Sequence, residues 1–201
     1  MTEQRRIVLG VTGNIASGKS TVVNILKEYG AHHIDSDLVY HDLVQPGQPL
    51  LARLAEAYGD GIIAEDGTLD RKALGAIVFS DPEKLAELDC ITHPAVIAES
   101  DRRIAAIHSG VIVIDAVKLI ESGHADICDE VWLVTAPEDV QIARLMRRNE
   151  LTEEEARQRV AAQPPLEPKI DRADRIIENS GSLGTLRATV EAAWYMLSKS
   201  N

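Results

Sequence analysis

The segment Gly13-Asn14-Ile15-Ala16-Ser17-Gly18-Lys19-Ser20 satisfies the phosphate-loop pattern G-x-x-x-x-G-K-[ST] at every fixed position. It constrains the fold because such a loop works in one setting, with a strand entering it and a helix leaving it. Both flanks read that way. Ile7-Val8-Leu9-Gly10-Val11 is a short β-branched run of the kind found in buried parallel strands. Lys19 to Tyr29 carries Val22, Val23, Ile25 and Leu26 at helical spacing, with Gly30 just beyond as a stop signal. Ala31 to Asp35 follows as a second short strand, which completes a βαβ unit. In such a loop the glycines let backbone N–H groups wrap phosphate oxygens, and the helix start adds a positive dipole end. Gly13, Asn14, Ile15, Ala16, Ser17, Gly18, Lys19, Ser20 and Thr21 are therefore expected to hold a nucleoside triphosphate. Lys19 supplies a point charge for the β- and γ-phosphates, and the Ser20 hydroxyl suits Mg²⁺.

The middle of the chain changes character. Pro49 to His108 shows little strand pattern. Leu50, Leu51, Leu54 and Ala55 suggest one helix, and Asp81-Pro82 opens another through Leu85, Leu88 and Ile91. His93-Pro94 is expected to break that helix before Val96, Ile97, Ile104 and Ile107 resume the helical period. The α/β pattern then returns. Val111 to Asp115 and Val131 to Val134 read as strands, and Pro137-Glu138-Asp139 opens a helix to Arg148. Thr152-Glu153-Glu154-Glu155 has the form of a capping box, Gln163 to Pro168 reads as an extended linker, and Arg175 to Glu178 is a last strand. Leu183, Leu186, Val190, Trp194 and Leu197 mark the buried face of a closing helix. Strands alternating with helices imply an α/β fold with a doubly wound parallel sheet, ligands at the strand C-termini, and a helical insertion.

Charge and composition exclude other classes. With 32 acidic against 21 basic residues the formal net charge is −11, so the chain gains little from neutralising a nucleic-acid backbone. No apolar run approaches the ~18 residues a membrane span needs; Val111 to Ile114, for one, is cut by Asp115. Met1 to Arg6 runs into the first strand without a signal-peptide pattern. Cys90 and Cys128 fit no metal spacing and read as buried thiols in a reducing cytoplasm. The expectation is a soluble cytoplasmic chain with no nucleic-acid or membrane partner.

Several polar residues are candidates for chemistry. Asp35-Ser36-Asp37 closes the second strand. Asp35 there could accept a proton from an attacking hydroxyl or hold Mg²⁺ through water, while Asp37 suits the N-cap of a helix over Leu38 to Val44. Asp115 ends an apolar strand in the Walker-B manner, suited to Mg²⁺ or to support of the loop. Arg144, Arg147 and Arg148 share one helix face, either as a polyphosphate patch or as a solvated surface. His32 and His33 are adjacent in a strand, face opposite sides and read as structural. His41, near the Asp pair, and His93, before a proline, are candidates for a substrate pocket.

Over nearly its whole length the chain resembles the dephospho-CoA kinase family. The resemblance is carried by Val11 to Thr21, Ile34-Asp35-Ser36-Asp37 with His41, Asp66 to Arg71, Ile77-Val78-Phe79 and His93-Pro94. It continues through Arg144-Leu145 to Arg148, Arg157 to Gln163, Lys169, and Ala173-Asp174 through Asn179-Ser180-Gly181. It implies a P-loop kinase core with a five-stranded parallel sheet flanked by helices, a helical acceptor-binding insertion and a helical lid. The core would comprise 1–63, 109–143 and 170–201, the acceptor (CoA) domain 64–108 and the lid 144–169. The implied reaction is ATP plus 3′-dephospho-CoA giving ADP plus CoA, with Mg²⁺, in a monomer, an oligomer being left open. By position Asp35 would be the base facing the ribose 3′-hydroxyl, Arg144 and Arg148 the lid arginines, and Asn179 a neighbour of the adenine. Asp35, His41, His93 and Lys118 would contact the acceptor, and Ser20 and Asp115 the metal. The chain departs from the family pattern at Lys118, where an apolar residue is usual, and at Arg148-Asn149, where Arg-Asp is usual. Rival readings are a P-loop kinase with another nucleoside or nucleotide acceptor, a GTPase switch and a non-catalytic nucleotide binder. The absence of Asn-Lys-x-Asp speaks against the switch, and the presence of Lys19, Ser20 and Asp35 against the binder.

Overall fold

The computed structural model describes residues 6–199, so most of Met1 to Arg6, expected to lack a leader pattern, lies outside the described residues. The chain forms two compact units, Met1–His33 with Ile107–Asn201, and Ile34–Ala106.

The first unit is built on five strands: β1 (Arg6–Thr12), β2 (His32–Asp35), β3 (Gly110–Asp115), β4 (Glu130–Thr135) and β5 (Arg175–Glu178). Their order is β2-β3-β1-β4-β5, and β1 pairs in parallel with both β3 and β4. A central strand covered on both faces must be apolar throughout, which is why Ile7 to Val11 shows no alternation. β2 is the strand on which the chain passes from the first unit into the second. The register sets Val11 beside Asp115, so the entry to the phosphate loop and the Walker-B-like carboxylate share one end of the sheet.

Helices α1 (Lys19–Glu28) and α9 (Leu183–Lys199) supply Val22, Val23, Ile25, Leu26, Leu186, Val190, Ala193 and Leu197 to a common core with Leu9, Val113 and Trp132. The packed stripe of α9 begins at Leu186. Leu183, expected on that stripe, is the first residue of the helix and is exposed. Helices α6 (Glu138–Asn149) and α7 (Glu153–Ala161) pack through Ile142, Leu145 and Ala156, and α7 opens on the expected capping box of Thr152 and Glu155. The expected linker through Pro168 ends earlier, because α8 (Glu167–Arg172) begins inside it; proline is tolerated in a first helical turn, where its missing N–H has no partner to lose.

The second unit holds α2 (Ser36–Leu43), α3 (Pro49–Tyr58), α4 (Arg71–Val78) and α5 (Pro82–Ala105). Val44, Leu50, Leu54, Ile62, Leu74 and Val78 form its core, so packing draws 34–63 together with the rest of the helical segment. The break expected at His93-Pro94 does not occur, and α5 runs through Pro94. The carbonyl that loses its helical partner is that of Cys90, an exposed residue. Leu85, Leu88 and Ile91 before the proline and Ala95 after it pack on the same core, which offsets a cost of ~3 kcal/mol. Cys90 is thus on the surface, not buried as expected, while Cys128 is half-buried. Among the described residues no helix is long and apolar enough to cross a membrane.

Candidate active site

The phosphate loop occupies the turn between β1 and α1. A side chain at Gly13 would run into the Val134 carbonyl, and Gly18 takes φ 95°, so both glycines are required by their surroundings. Ala16 sits at φ 57°, a left-handed conformation that persists in a non-glycine residue only when its neighbours impose it. Those neighbours can be named. Arg144 donates from Nη1 to the carbonyls of Ala16 and Ser17, each at 3.1 Å, and from Nη2 to the carbonyl of Asn179 at 2.9 Å. Asn179 is buried at the end of β5; its backbone N–H donates to the Thr135 carbonyl and its Nδ2 donates to the Ser17 carbonyl, both at 2.8 Å. A trans peptide points its C=O and N–H in opposite directions. Holding the Ser17 carbonyl on Asn179 and Arg144 therefore aims the Gly18 N–H the other way. Burial pulls the Arg144 guanidinium pKa down, with Arg147 adding to the effect.

Lys19 Nζ donates to Asp115 Oδ1, and His33 Nε2 lies 3.5 Å from Oδ2 of the same carboxylate. Asp115 is only 7% exposed. Burial pushes its pKa up, but His33 and Lys19 together outweigh that and hold it below the usual carboxylate range. Asp115 is thus a buried, ionised carboxylate beside the loop lysine. Ser20 is exposed in the first turn of α1. Both are hard oxygen donors, the kind Mg²⁺ accepts.

Four residues not chosen as site residues from the sequence serve this arrangement. His33, read as structural, lies against Asp115. Lys169, 2% exposed, donates to the Val117 carbonyl at 2.9 Å and pairs with Glu121 at 3.2 Å. Thr12 Oγ1 donates to that same carbonyl at 3.0 Å, so the turn after Asp115 is held from β1 and from α8. Gln163 Oε1 accepts from the Ile15 N–H at 3.1 Å. A lysine or glutamine beside prolines carries no periodicity to betray it; Lys169 and Gln163 entered only as parts of the resemblance.

The expected arginine patch divides. Arg144 turns to the loop, whereas Arg147 and Arg148 are exposed and Arg148 Nε donates to Asn149 Oδ1 at 3.0 Å. Lys118 is exposed on the turn held by Lys169. In the second unit the capping expectation is corrected. Asp35, not Asp37, caps α2, its Oδ1 accepting from the N–H groups of Asp37 at 2.9 Å and Leu38 at 3.2 Å. The reason is that the strand ends at Asp35 in extended geometry and the helix starts one residue on. His41 is exposed one turn before Gln45, whose Nε2 lies 3.2 Å from His41 Nδ1. His93 Nε2 lies 3.3 Å from Asp89 Oδ1 one turn earlier on α5.

A complete phosphate loop, a lysine–carboxylate pair at the adjacent strand end and an arginine–asparagine clamp describe a P-loop kinase core. The family model for dephospho-CoA kinase matches residues 7–185. The chain belongs to the dephospho-CoA kinase family. The dephospho-CoA kinase of Symbiobacterium thermophilum is 47% identical over 93% of this chain and 80% of its own length. A Thermus thermophilus protein of known structure superposes with a TM-score of 0.81 at 32% identity, covering 96% of this chain and 99% of that one. The Campylobacter jejuni dephospho-CoA kinase does so with a TM-score of 0.72 at 26% identity, covering 98% and 99%. Membership in the family makes the chain a phosphotransferase rather than a switch or a passive nucleotide binder.

Proposed function

We propose that this chain transfers the γ-phosphoryl group of ATP to the ribose 3′-hydroxyl of dephospho-CoA, giving CoA and ADP, the last step of coenzyme A synthesis. The observation that carries this reading is the Lys19–Asp115 pair beside a complete phosphate loop in a member of this family. Phosphoryl transfer asks the protein mainly for positioning and charge. Gly13 to Thr21 form the phosphate loop, and those of its backbone N–H groups not engaged within the protein cradle the phosphates. Lys19 exchanges its carboxylate for the β- and γ-phosphate oxygens as negative charge builds there. Ser20 and Asp115 are the residues that would hold Mg²⁺, which when bound neutralises charge on those phosphates. Asp35 Oδ1 is engaged in the cap of α2, and Oδ2 is the atom assigned to receive the 3′-hydroxyl proton as the oxygen bonds to phosphorus and ADP leaves.

We assign Arg144 to shaping the loop and Arg148 to the transferring phosphates. Asn179 holds the loop as well as lying beside the nucleotide. His41, His93 and Lys118 are assigned to the acceptor, 64–108 to the acceptor domain and 144–169 to the lid. The protein is read as a cytoplasmic monomer. A coupled ADP-release assay with ATP, Mg²⁺ and dephospho-CoA tests the reaction. ADP should appear only with dephospho-CoA, in step with CoA, and Lys19→Ala should abolish turnover with circular dichroism unchanged. ADP release indifferent to dephospho-CoA, or faster with another nucleoside acceptor, would sink the reading.

A further inference from the structure

We propose that Gln163 is a positioning residue that latches the tip of the phosphate loop in its phosphate-ready shape. The inference rests on the nucleotide-binding reading above and assigns it a residue outside the motif. Two hydrogen bonds join the loop tip to the connector between α7 and α8. The Ile15 N–H donates to Gln163 Oε1 at 3.1 Å, and Asn14 Nδ2 donates to the Pro164 carbonyl at 3.3 Å. The residue immediately after this pair is Ala16, the one non-glycine residue of the phosphate loop in the left-handed region. Strain of that kind needs surroundings that over-determine it. On one side Ala16 is held by Arg144 through its carbonyl. On the other side the hold comes through Ile15, whose amide is fixed by Gln163. Ile15 and Ala16 also pack against Ile142, Leu145 and Ala156, so α6 and α7 cover the tip as well.

The polar atoms of the loop agree with a shape kept ready. Ser17 Oγ and Asn14 Oδ1 are buried without a hydrogen-bond partner, although each flanks a residue that the latch or Arg144 holds. A loop free to relax would rotate to satisfy them, because unpaired buried polar atoms are costly. The Ile15 amide is meanwhile spent on a protein oxygen. It therefore contributes by fixing the backbone that presents the Gly18 and Lys19 amides, the Ser17 amide being turned onto the Asn14 carbonyl at 3.2 Å, and the phosphate contacts fall to those later residues. Gln163 is half-buried on a connector, so replacing it leaves both cores intact.

The test is ATP binding by calorimetry in the absence of acceptor, together with steady-state kinetics, for Gln163→Met and Gln163→Ala. Methionine keeps the length of the stem and removes the acceptor oxygen. Both variants should weaken ATP binding about fivefold, the worth of one ordinary hydrogen bond. KM for dephospho-CoA and the melting temperature should stay unchanged. Placing Gln163→Met on an Ala16→Gly background should shrink the loss to less than about twofold, because glycine adopts the left-handed conformation without a latch. ATP affinity unchanged or improved in the single variants would overturn the latch, as would a loss of the same size in the glycine background. A uniform change in both KM values with a lowered melting temperature would make Gln163 merely structural and overturn it too. A wild-type chain that bound no ATP would instead remove the nucleotide reading, and the latch with it.

Discussion

Replacing Asn179 by alanine separates a residue that builds the phosphate loop from one that only lies beside bound nucleotide. The Nδ2 of Asn179 donates to the buried Ser17 carbonyl at 2.8 Å. Truncation removes that donor, while Arg144 Nη1 still reaches the same oxygen at 3.1 Å. A buried acceptor left wholly unpaired costs ~1–3 kcal/mol, and with one donor remaining the loss should fall in the lower part, about 1–2 kcal/mol. For a chain of this size that lowers the melting temperature by roughly 2–8 °C. Asn179→Asp should cost more, since it sets a carboxylate oxygen against a carbonyl. A second replacement sharpens the test. A Cβ on Gly18 would collide with Asn179 Nδ2, and Gly18 also takes φ 95°. Gly18→Ala alone should therefore carry both the collision and a left-handed backbone cost of ~1–2 kcal/mol. In the double variant only the backbone cost remains, so the two losses should fall short of additive by roughly 1 kcal/mol or more. Differential scanning calorimetry without nucleotide reads both effects. An unchanged melting temperature for Asn179→Ala, with additive behaviour in the double variant, would refute the structural role.

Three further outcomes follow from the geometry. Asp35→Asn should leave stability within a few tenths of a kcal/mol, because asparagine caps as well as aspartate, and should cut kcat by roughly 10²-fold or more if Asp35 is the base; near wild-type kcat would confine Asp35 to capping. Arg144→Ala should weaken ATP binding and lower the melting temperature together, whereas Arg148→Ala, at an exposed residue whose Nε donates to the neighbouring Asn149, should lower kcat at least tenfold with stability unchanged; a silent Arg148→Ala would remove it from the chemistry. Glu99 is held at about 2 by its hydrogen bonds to Arg102 and Arg103. Its contribution to stability is therefore present above the ordinary 4.5 and lost as pH falls through about 2. Arg103→Ala should raise the Glu99 value, read by NMR titration, and no change would assign the effect to Arg102 alone.

The phosphate loop, its strand and helix, and the five-stranded α/β class were legible because each depends on local pattern: fixed glycines, a β-branched run, a helical apolar period. The same is true of the capping box at Thr152. Where local rules failed, packing outweighed them. Pro94 should end a helix, but α5 has apolar partners on both sides of it. Asp37 and Asp35 are equally good caps by composition, and only the end of β2 decides between them.

What the sequence determined by itself was the chemistry on offer: a loop for phosphates, a carboxylate at a strand end, and a family with a known reaction. Only the tertiary structure decided which side chains hold that chemistry in place. Asn179, Arg144 and Gln163 lie 162, 127 and 148 residues from their partners in the loop. Lys169 reaches back 52 residues to the turn after Asp115. A single polar residue that bonds to a distant backbone carbonyl or amide imposes no period on its own neighbourhood. Its role exists only once the sheet order brings β1, β3, β4 and β5 side by side.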